Sequence, residues 1–371
     1  MTAETISLYV KVPPDSFTAD QETENVLLGL GPLCLKGCMD NPTCVQLGTP
    51  GNKLYTFVNE EGSHASMRIY SHGLVTFDIQ YLIQDGTSPY NMDYIRNLQS
   101  KIKQYLGTLT TEVNSLYTPI KRGGPVWPYT VAGDERLIEA DYDAVVSNVD
   151  SRWQNILIMH SKEHGNVLRL DHDTMYGESD KIYIDTLCQL GRLDFKNKEI
   201  LILGGGDGGI IHELQKENPK MITMAEIDEE VIKVCRKHLR SVCGDTMDTF
   251  IGPNYKILIK DCVDVLKQAI ESGKKYDFVI NDLTEFPVDK ESKGFDYDFE
   301  TASQVLEMSL QTIKDSGKYL ARGNTKSAVE YREGFERDVR KLGATFTRRD
   351  VHVPSFYEVY SLYEIWKLST T

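Results

Sequence analysis

The sequence predicts a mixed α/β protein with a parallel-sheet domain in its carboxyl-terminal half. Three observations support this fold class. Short apolar strands alternate with helical segments from about Tyr176 onward, which is typical of parallel α/β sheets. A glycine-rich loop, Gly204–Gly209, joins the first of these strands to a helix. The chain has 371 residues, enough for two or three domains, and its earlier segments have a different pattern.

Residues 1–120 are predicted to form an amino-terminal α+β domain. Two alternating apolar and polar segments are separated by the turn residues Asn59–Gly62, a pattern typical of paired strands. A third alternating segment follows, and then an amphipathic helical one. The predicted strands are Leu54–Val58, Ala65–Tyr70 and Gly73–Ile79, and the predicted helix is Asp93–Leu109.

Residues 121–175 are predicted to form a small central β domain. A stretch rich in proline and glycine, Pro119–Gly133, marks its boundary with the first domain. The segments that follow are short and apolar, without room for long helices. The predicted strands are Leu137–Ala140, Asn155–His160 and Val167–Leu170.

Residues 176–371 are predicted to form the α/β domain. In the first strand, Glu199–Leu203, every residue after Glu199 is apolar, as expected of a strand buried on both faces. The last two strands are expected to pair antiparallel. The remaining strands are Met221–Ile227, Tyr255–Ile259, Asp277–Ile280, Lys318–Ala321, Thr345–Val353 and Val359–Trp366, and the first helices are Gly208–Asn218 and Glu229–Leu239.

The composition excludes several classes of partner. The 41 Lys and Arg residues against 55 Asp and Glu give a net charge of −14, which repels nucleic-acid phosphates. The seven cysteines have irregular spacing, which favours reduced thiols in the cytoplasm. We find no signal peptide and no apolar run of ~18 residues, so we expect no membrane association.

The glycine loop predicts a nucleoside-binding site. Gly204, Gly206 and Gly209 match the fingerprint G-x-G-x-x-G between a strand and a helix. The next strand ends at Glu226 and Asp228, about 20 residues further on, where an acid would hold ribose hydroxyls.

Asp207 restricts the class of nucleoside. A carboxylate inside the loop repels a pyrophosphate, which argues against NAD and ATP. It attracts a cationic ligand, and among S-adenosyl sulfonium compounds it favours the decarboxylated form, which ends in a bare ammonium. The alternative is that Asp207 only caps the helix that begins at Gly208.

Acidic residues also follow the next strands. Because the carboxyl ends of parallel strands line the ligand crevice, Asp207, Glu226, Asp261 and Asp282 are expected to converge there. Such a set favours a bound organic cation; a metal is not expected, because no histidine accompanies the acids. Asp261 and Asp228 have a competing interpretation as helix N-caps.

With these residues in view, the chain resembles the aminopropyltransferases, the spermidine/spermine synthase family. The resemblance extends from about Tyr55 to Trp366, and Asn281–Thr284 resembles the spermine synthase branch. It implies a Rossmann-like, methyltransferase-type catalytic domain. The matching motifs are Leu201–Gly209, Ala225–Asp228, Glu178–Tyr183, Trp153–Ile156 and, in the amino-terminal domain, Asn59–Ser63 and Arg68–Leu74.

The resemblance implies transfer of an aminopropyl group from decarboxylated S-adenosylmethionine to spermidine, giving spermine and methylthioadenosine. It also implies a homodimer formed by the amino-terminal domain, with no tightly bound cofactor. Asp282 matches the catalytic proton acceptor, and Asp207 the carboxylate that binds the aminopropyl ammonium. The other positions that it implies are Gln154, Gly204, Gly206, Glu226, Asp261 and Cys262 for the nucleoside, and Asp180, Tyr183, Phe356 and Glu358 for the polyamine.

The chain departs from the family at Phe356, where the pattern has tyrosine, so one hydrogen bond to the polyamine is in doubt. Phe356 then serves as an aromatic surface for methylene groups, and Tyr357 is a candidate replacement for the hydroxyl. Two alternatives remain at this stage. One is a methyltransferase that uses intact S-adenosylmethionine, and the other is a catalytically silent polyamine-binding protein.

Overall fold

The computed structural model describes residues 2–13, 21–38, 43–46, 52–83, 88, 90–114, 118–171, 173–283 and 299–368. Thr284, the last residue of the predicted Asn281–Thr284 motif, lies outside the described residues. The chain divides into two compact units, Met1–Trp127 and Pro128–Thr371. The second unit contains both the β module and the α/β domain.

The first unit is an antiparallel sheet with helices on one face. Its strands are β1 (Thr2–Lys11), β2 (Thr43–Gln46), β3 (Lys53–Val58), β4 (His64–Ile69), β5 (Leu74–Ile83), β6 (Glu112–Asn114) and β7 (Ile120–Arg122). They pair in the order β2-β3-β4-β5-β1-β6, and β7 also pairs with β1. The helices are α1 (Gln21–Leu28), α2 (Leu30–Cys34) and α3 (Met92–Leu106).

The third helix shows why these residues fold as they do. The Asn91 side chain accepts a hydrogen bond from the Tyr94 amide and caps the first turn of α3. Its apolar residues recur at helical spacing and are buried against the sheet. The helix ends at Leu106, before the predicted Leu109, because Gly107 adopts a positive φ of 53° that stops the α-helix.

The second unit begins with small antiparallel sheets. The first of these sheets is a hairpin of the strands β8 (Tyr129–Val131) and β9 (Leu137–Glu139). The strands β10 (Tyr142–Asp150), β11 (Asn155–Ser161), β12 (Gly165–Leu170) and β13 (Asp173–Gly177) then pair in sequence order. The sequence did not predict β10, whose side chains are largely exposed and lack the apolar alternation of a core strand.

The α/β domain follows, and its Rossmann-like fold confirms the predicted fold class. Its strands are β14 (Glu199–Gly204), β15 (Met221–Glu226), β16 (Tyr255–Ile259), β17 (Tyr276–Asp282), β18 (Ile313–Thr325), β19 (Ala344–Val353) and β20 (Glu358–Lys367). Its helices are α4 (Lys181–Leu187), α5 (Gly209–Gln215), α6 (Glu229–His238), α7 (Arg240–Cys243), α8 (Cys262–Glu271), α9 (Phe299–Thr312) and α10 (Val329–Lys341).

The sheet order in this domain is β16-β15-β14-β17-β18-β20-β19. The first five strands in that order are parallel, and β20 is antiparallel to both neighbours, as predicted for the last two strands. The chain order reverses between β14 and β17, so the carboxyl ends of these strands border the crevice where open α/β sheets bind ligands.

Candidate active site

The glycine loop lies against neighbouring chain segments without space for side chains. Gly204 has a φ of 76°, and a Cβ there would lie 2.8 Å from the Asp282 carbonyl oxygen. A Cβ on Gly206 would lie 2.8 Å from Glu226 Oε2. Both positions therefore require glycine, and the loop backbone forms one wall of the crevice.

Asp207 is half-buried at the end of this loop. Its Oδ1 accepts a hydrogen bond of 2.8 Å from the Gly209 amide, so the carboxylate does stabilise the start of α5. Burial raises the pKa of Asp207, while the Arg322 guanidinium opposes the rise. The contact at the start of α5 thus uses one of the two carboxylate oxygens.

Asp282 is the last residue of β17, next to the glycine loop. It accepts a hydrogen bond from the hydroxyl of Tyr183, a buried residue of α4. Burial, together with the Asp207 carboxylate, raises the pKa of Asp282 to about 7. A carboxylate with this pKa is suited to accept a proton near neutral pH.

Glu226 lies at the end of β15 and is held by the segment after it. Its Oε1 accepts a hydrogen bond of 2.9 Å from the Asp228 amide. Burial raises the pKa of Glu226 to about 7. Asp228 in turn caps α6 and accepts hydrogen bonds from Ser151 Oγ and, at 3.1 Å, from Gln154 Nε2. Asp228 therefore links the predicted nucleoside residues Gln154 and Glu226.

Asp261 and Cys262 lie beyond the end of β16. Asp261 is exposed and accepts a hydrogen bond of 2.8 Å from the Val263 amide, which confirms its interpretation as the N-cap of α8. Cys262 is buried, and its burial raises the pKa of the thiol to about 12, so it remains protonated at neutral pH. Its electrostatic interactions with Asp261 and Glu226 place it beside the predicted nucleoside residues.

Two predicted polyamine residues are engaged in internal hydrogen bonds. Asp180 is fully buried, and its carboxylate accepts hydrogen bonds from the Gly177 and Ser355 amides and from the Ser355 hydroxyl. Glu358 Oε1 accepts hydrogen bonds from the Gly133 amide and from Thr325 Oγ1. Asp180 therefore fixes the turn that carries Phe356, and Glu358 ties the β8–β9 hairpin to the sheet.

Phe356 lies in a cluster of aromatic rings beside Asp282. It is buried in a short 3-10 helix, and its ring centroid lies 6.2 Å from that of Tyr183 and 4.9 Å from that of Tyr360. The Tyr176 ring packs edge-on against Tyr183, with centroids 6.2 Å apart. The neighbouring Tyr357 packs on His164 instead of Tyr183, with centroids 5.2 Å apart.

Arg322 also belongs to the site, and the sequence analysis missed it. Its guanidinium carbon lies 5.6 Å from the Phe356 ring centroid and 5.3 Å from that of Tyr360. It follows the apolar run Tyr319–Ala321 at the end of β18, just as the predicted acids follow their own strands. A search for charges of both signs at strand ends would have found it.

The structure brings three of the four predicted acids into electrostatic contact. The charges of Asp207 and Glu226 both raise the pKa of Asp282, so these carboxylates repel one another unless a cation lies between them.

Across the described residues, no set of three or more His, Cys, Asp or Glu side chains has the arrangement of a metal site. Within the same residues, no helix is long and apolar enough to cross a membrane.

Comparisons with known proteins identify the class to which this fold and site belong. The model of the spermine/spermidine synthase domain matches residues 180–370, about half of the chain. The model described as S-adenosylmethionine decarboxylase N-terminal matches residues 46–123, and that of the spermidine synthase tetramerisation domain matches residues 126–178. The chain belongs to the spermine/spermidine synthase family.

Curated relatives agree with this family, and a solved structure shares the fold. The polyamine aminopropyltransferase of Korarchaeum cryptofilum is 31% identical over 58% of this chain and 64% of its own length. That of Pectobacterium atrosepticum is 32% identical over 42% of this chain and 53% of its own length. The chain thus matches less than two thirds of the length of these two relatives. The spermidine synthase of Thermotoga maritima shares the fold, with a TM-score of 0.53 and 20% identity over 67% of this chain and 81% of its own.

Proposed function

We propose that this protein transfers an aminopropyl group from decarboxylated S-adenosylmethionine to spermidine, giving spermine and methylthioadenosine. The observation that carries the proposal is the pairing of two half-buried carboxylates, Asp207 and Asp282, across the glycine loop. Asp207 would bind the ammonium of the donor, and Asp282 would accept a proton from the attacking amine.

In the proposed reaction, the electrophile is already reactive, and the main requirement is a base that deprotonates the attacking amine. The sulfonium is already a good leaving group, whereas an alkyl amine with a pKa near ~10 is protonated at neutral pH and has no free electron pair. As the nitrogen attacks the methylene next to sulfur, the carbon–sulfur bond breaks and its electron pair remains on the neutral thioether. The proton of the nitrogen passes to Asp282, which Tyr183 holds in place.

The remaining predicted residues are assigned to the two substrates. Gln154, Gly204, Gly206, Glu226, Asp261 and Cys262 would surround the nucleoside. Tyr183 and Phe356 would face the polyamine directly, while Asp180 and Glu358 would act by holding the segments around it. A location in the reducing cytoplasm is part of the proposal and agrees with the seven free cysteines.

Product analysis tests the proposal against its alternatives. The protein is incubated with decarboxylated or intact S-adenosylmethionine and with putrescine, spermidine or no amine, and the products are identified by mass spectrometry. We expect spermine and methylthioadenosine from the decarboxylated donor and spermidine. Spermidine formed mainly from putrescine would overturn the acceptor assignment. Methylated amines from the intact donor would favour a methyltransferase, and no product in any arm would favour a silent binding protein.

The raised pKa of Asp282 predicts a pH profile. Because the pKa is raised to about 7, Asp282 in the free enzyme is protonated below that pH and cannot accept a proton. We expect kcat/KM for the acceptor to fall as the pH decreases through 7. The profile of kcat should fall at a lower pH, because bound cations lower the pKa of the carboxyl. Steady-state kinetics between pH 5 and 9 measure both, and coincident profiles would contradict the assignment.

We also propose that the first unit forms a homodimer. A fragment that begins at Pro128 keeps every residue of the proposed site and follows the structural boundary, whereas a cut at Lys121 would divide β7. By sedimentation, we expect a dimer for the full chain and a monomer for the fragment. The tetramerisation-domain match at residues 126–178 supplies the alternative, because that segment remains in the fragment. If the fragment that begins at Pro128 is oligomeric, the assembly interface lies in that segment and not in the first unit.

A further inference from the structure

The direction of the Arg322 side chain is set by an irregularity in strand pairing near the end of β18. Ala321 pairs with Asn281, so Arg322 lies level with Asp282 on the neighbouring strand. The pairing of β18 with β20 shifts directly after Arg322, which is typical of a β-bulge that redirects a side chain. Gly323 makes the shift possible, since a Cβ there would lie 2.5 Å from the Ser361 carbonyl oxygen.

The surroundings of Arg322 are aromatic. Its guanidinium lies near the rings of Phe356 and Tyr360, which favours retention of the positive charge. Among the residues that the structure describes, no carboxylate lies within 4.0 Å of the guanidinium. Arg322 therefore has the Tyr360 hydroxyl as its near side-chain partner and interacts with the carboxylates of Asp282 and Asp207 at longer range.

The position of this charge matters for a polyamine. Asp207, Glu226 and Asp282 attract cations, and burial next to Tyr183 strengthens the electrostatic interactions of Asp282. Arg322 adds the opposite charge at the acceptor side of the same site. Arg322 therefore opposes the attraction of these carboxylates on its own side of the site, so that it disfavours a second ammonium close to it.

We propose that Arg322 determines acceptor specificity by excluding amines whose second ammonium lies close to the attacking nitrogen. The proposal rests on the proposed function, because it uses Asp282 to locate the attacking amine. A three-methylene spacer holds the second ammonium within about 5 Å of the attacking nitrogen. An eight-methylene spacer allows the two nitrogens to lie about 11 Å apart, so the second ammonium can lie far from the guanidinium. The favoured attacking nitrogen is therefore the one with the longer spacer, which in spermidine is the amine at the four-methylene end, whose attack gives spermine.

A series of diamines with three, four, six and eight methylenes tests this inference. We compare the wild type with Arg322→Gln, which removes the charge, and Arg322→Lys, which keeps it. For each protein, kcat and KM are measured with the decarboxylated donor. Diamine binding is measured by calorimetry in the presence of methylthioadenosine. Each kinetic or binding constant of a variant is divided by the wild-type value for the same diamine, so that differences in basicity between the diamines cancel.

We expect Arg322→Gln to improve kcat/KM for the three-methylene diamine about five- to tenfold more than for the eight-methylene one, chiefly through KM. Arg322→Lys should keep the wild-type dependence on spacer length. Arg348→Gln is the matched control, because this arginine of β19 forms ion pairs with Glu336 and Asp350, and its loss should leave the dependence on spacer length unchanged.

Equal effects on all diamines, or the same effect in Arg322→Lys as in Arg322→Gln, would assign Arg322 a structural role and overturn the proposal. If the wild type forms no methylthioadenosine with any amine, the proposed function fails, and the calorimetric series alone decides the role of Arg322. Diamine binding that is independent of spacer length, or undetectable in all three proteins, would overturn the inference in that case.

Discussion

Asp282→Asn is expected to lower kcat by about 10²–10⁴, the range typical of the loss of a general base. The amide has the size of the carboxylate and still accepts the hydrogen bond from the Tyr183 hydroxyl, so the geometry of the site is retained. It has no basicity near pH 7, so the attacking amine loses its proton acceptor. Binding of the decarboxylated donor should change much less than kcat, and calorimetry measures this separately.

The control for Asp282→Asn lies on the same strand. Asp277, at the other end of β17, pairs with Lys314 and accepts a hydrogen bond from the Glu199 amide. Asp277→Asn should leave kcat within twofold of the wild type. The thermal stability of Asp282→Asn should equal or exceed that of the wild type, because the substitution removes the repulsion between Asp282 and Asp207. A folded Asp282→Asn enzyme with less than a tenfold decrease in kcat would exclude the proposed base.

Local patterns predict the first strands of the α/β domain well because each of these strands has its own signal. After Glu199, the strand β14 has no polar side chain, as its burial from Ile200 onward requires. The predicted segments of β15 and β16 agree with the structure to within one residue. The edge strand β10 has no such signal. It is held by pairing with β11, and its exposed side chains give no apolar alternation.

The candidate site is only partly predictable from the sequence. Charges at strand ends identify the residues that meet at the crevice, because parallel strands bring these ends together. The sequence does not show how each carboxylate is used. Asp180 is fully buried, and its carboxylate accepts hydrogen bonds from the amides of Gly177 and Ser355. Ser355 is distant in sequence, so this contact exists only in the tertiary structure. Arg322 becomes part of the site through a bulge between β18 and β20, a contact distant in sequence.

The choice of donor depends on one carboxylate. With the decarboxylated donor, the ligand tail is an ammonium that Asp207 attracts, whereas the intact donor adds a carboxylate that Asp207 repels. A like-charge contact at ~4 Å costs about 1–4 kcal/mol for effective dielectric constants between ~80 and ~20. We therefore expect the wild type to bind the decarboxylated donor roughly ten- to a thousandfold more tightly than the intact one.

Asp207→Asn should reduce this preference, mostly through weaker binding of the decarboxylated donor. The asparagine Oδ1 still accepts the hydrogen bond from the Gly209 amide, so the start of α5 is preserved while the charge is removed. Asp261→Asn is a matched control, because Asp261 makes the same contact with the amide two residues ahead, Val263, at the start of α8. Since the nucleoside is common to both donors, Asp261→Asn is expected to leave their affinity ratio unchanged. Calorimetric titration of both donors against the three proteins gives these ratios. Equal affinity of the wild type for the two donors, or an unchanged ratio in Asp207→Asn, would reduce Asp207 to a residue that only caps its helix.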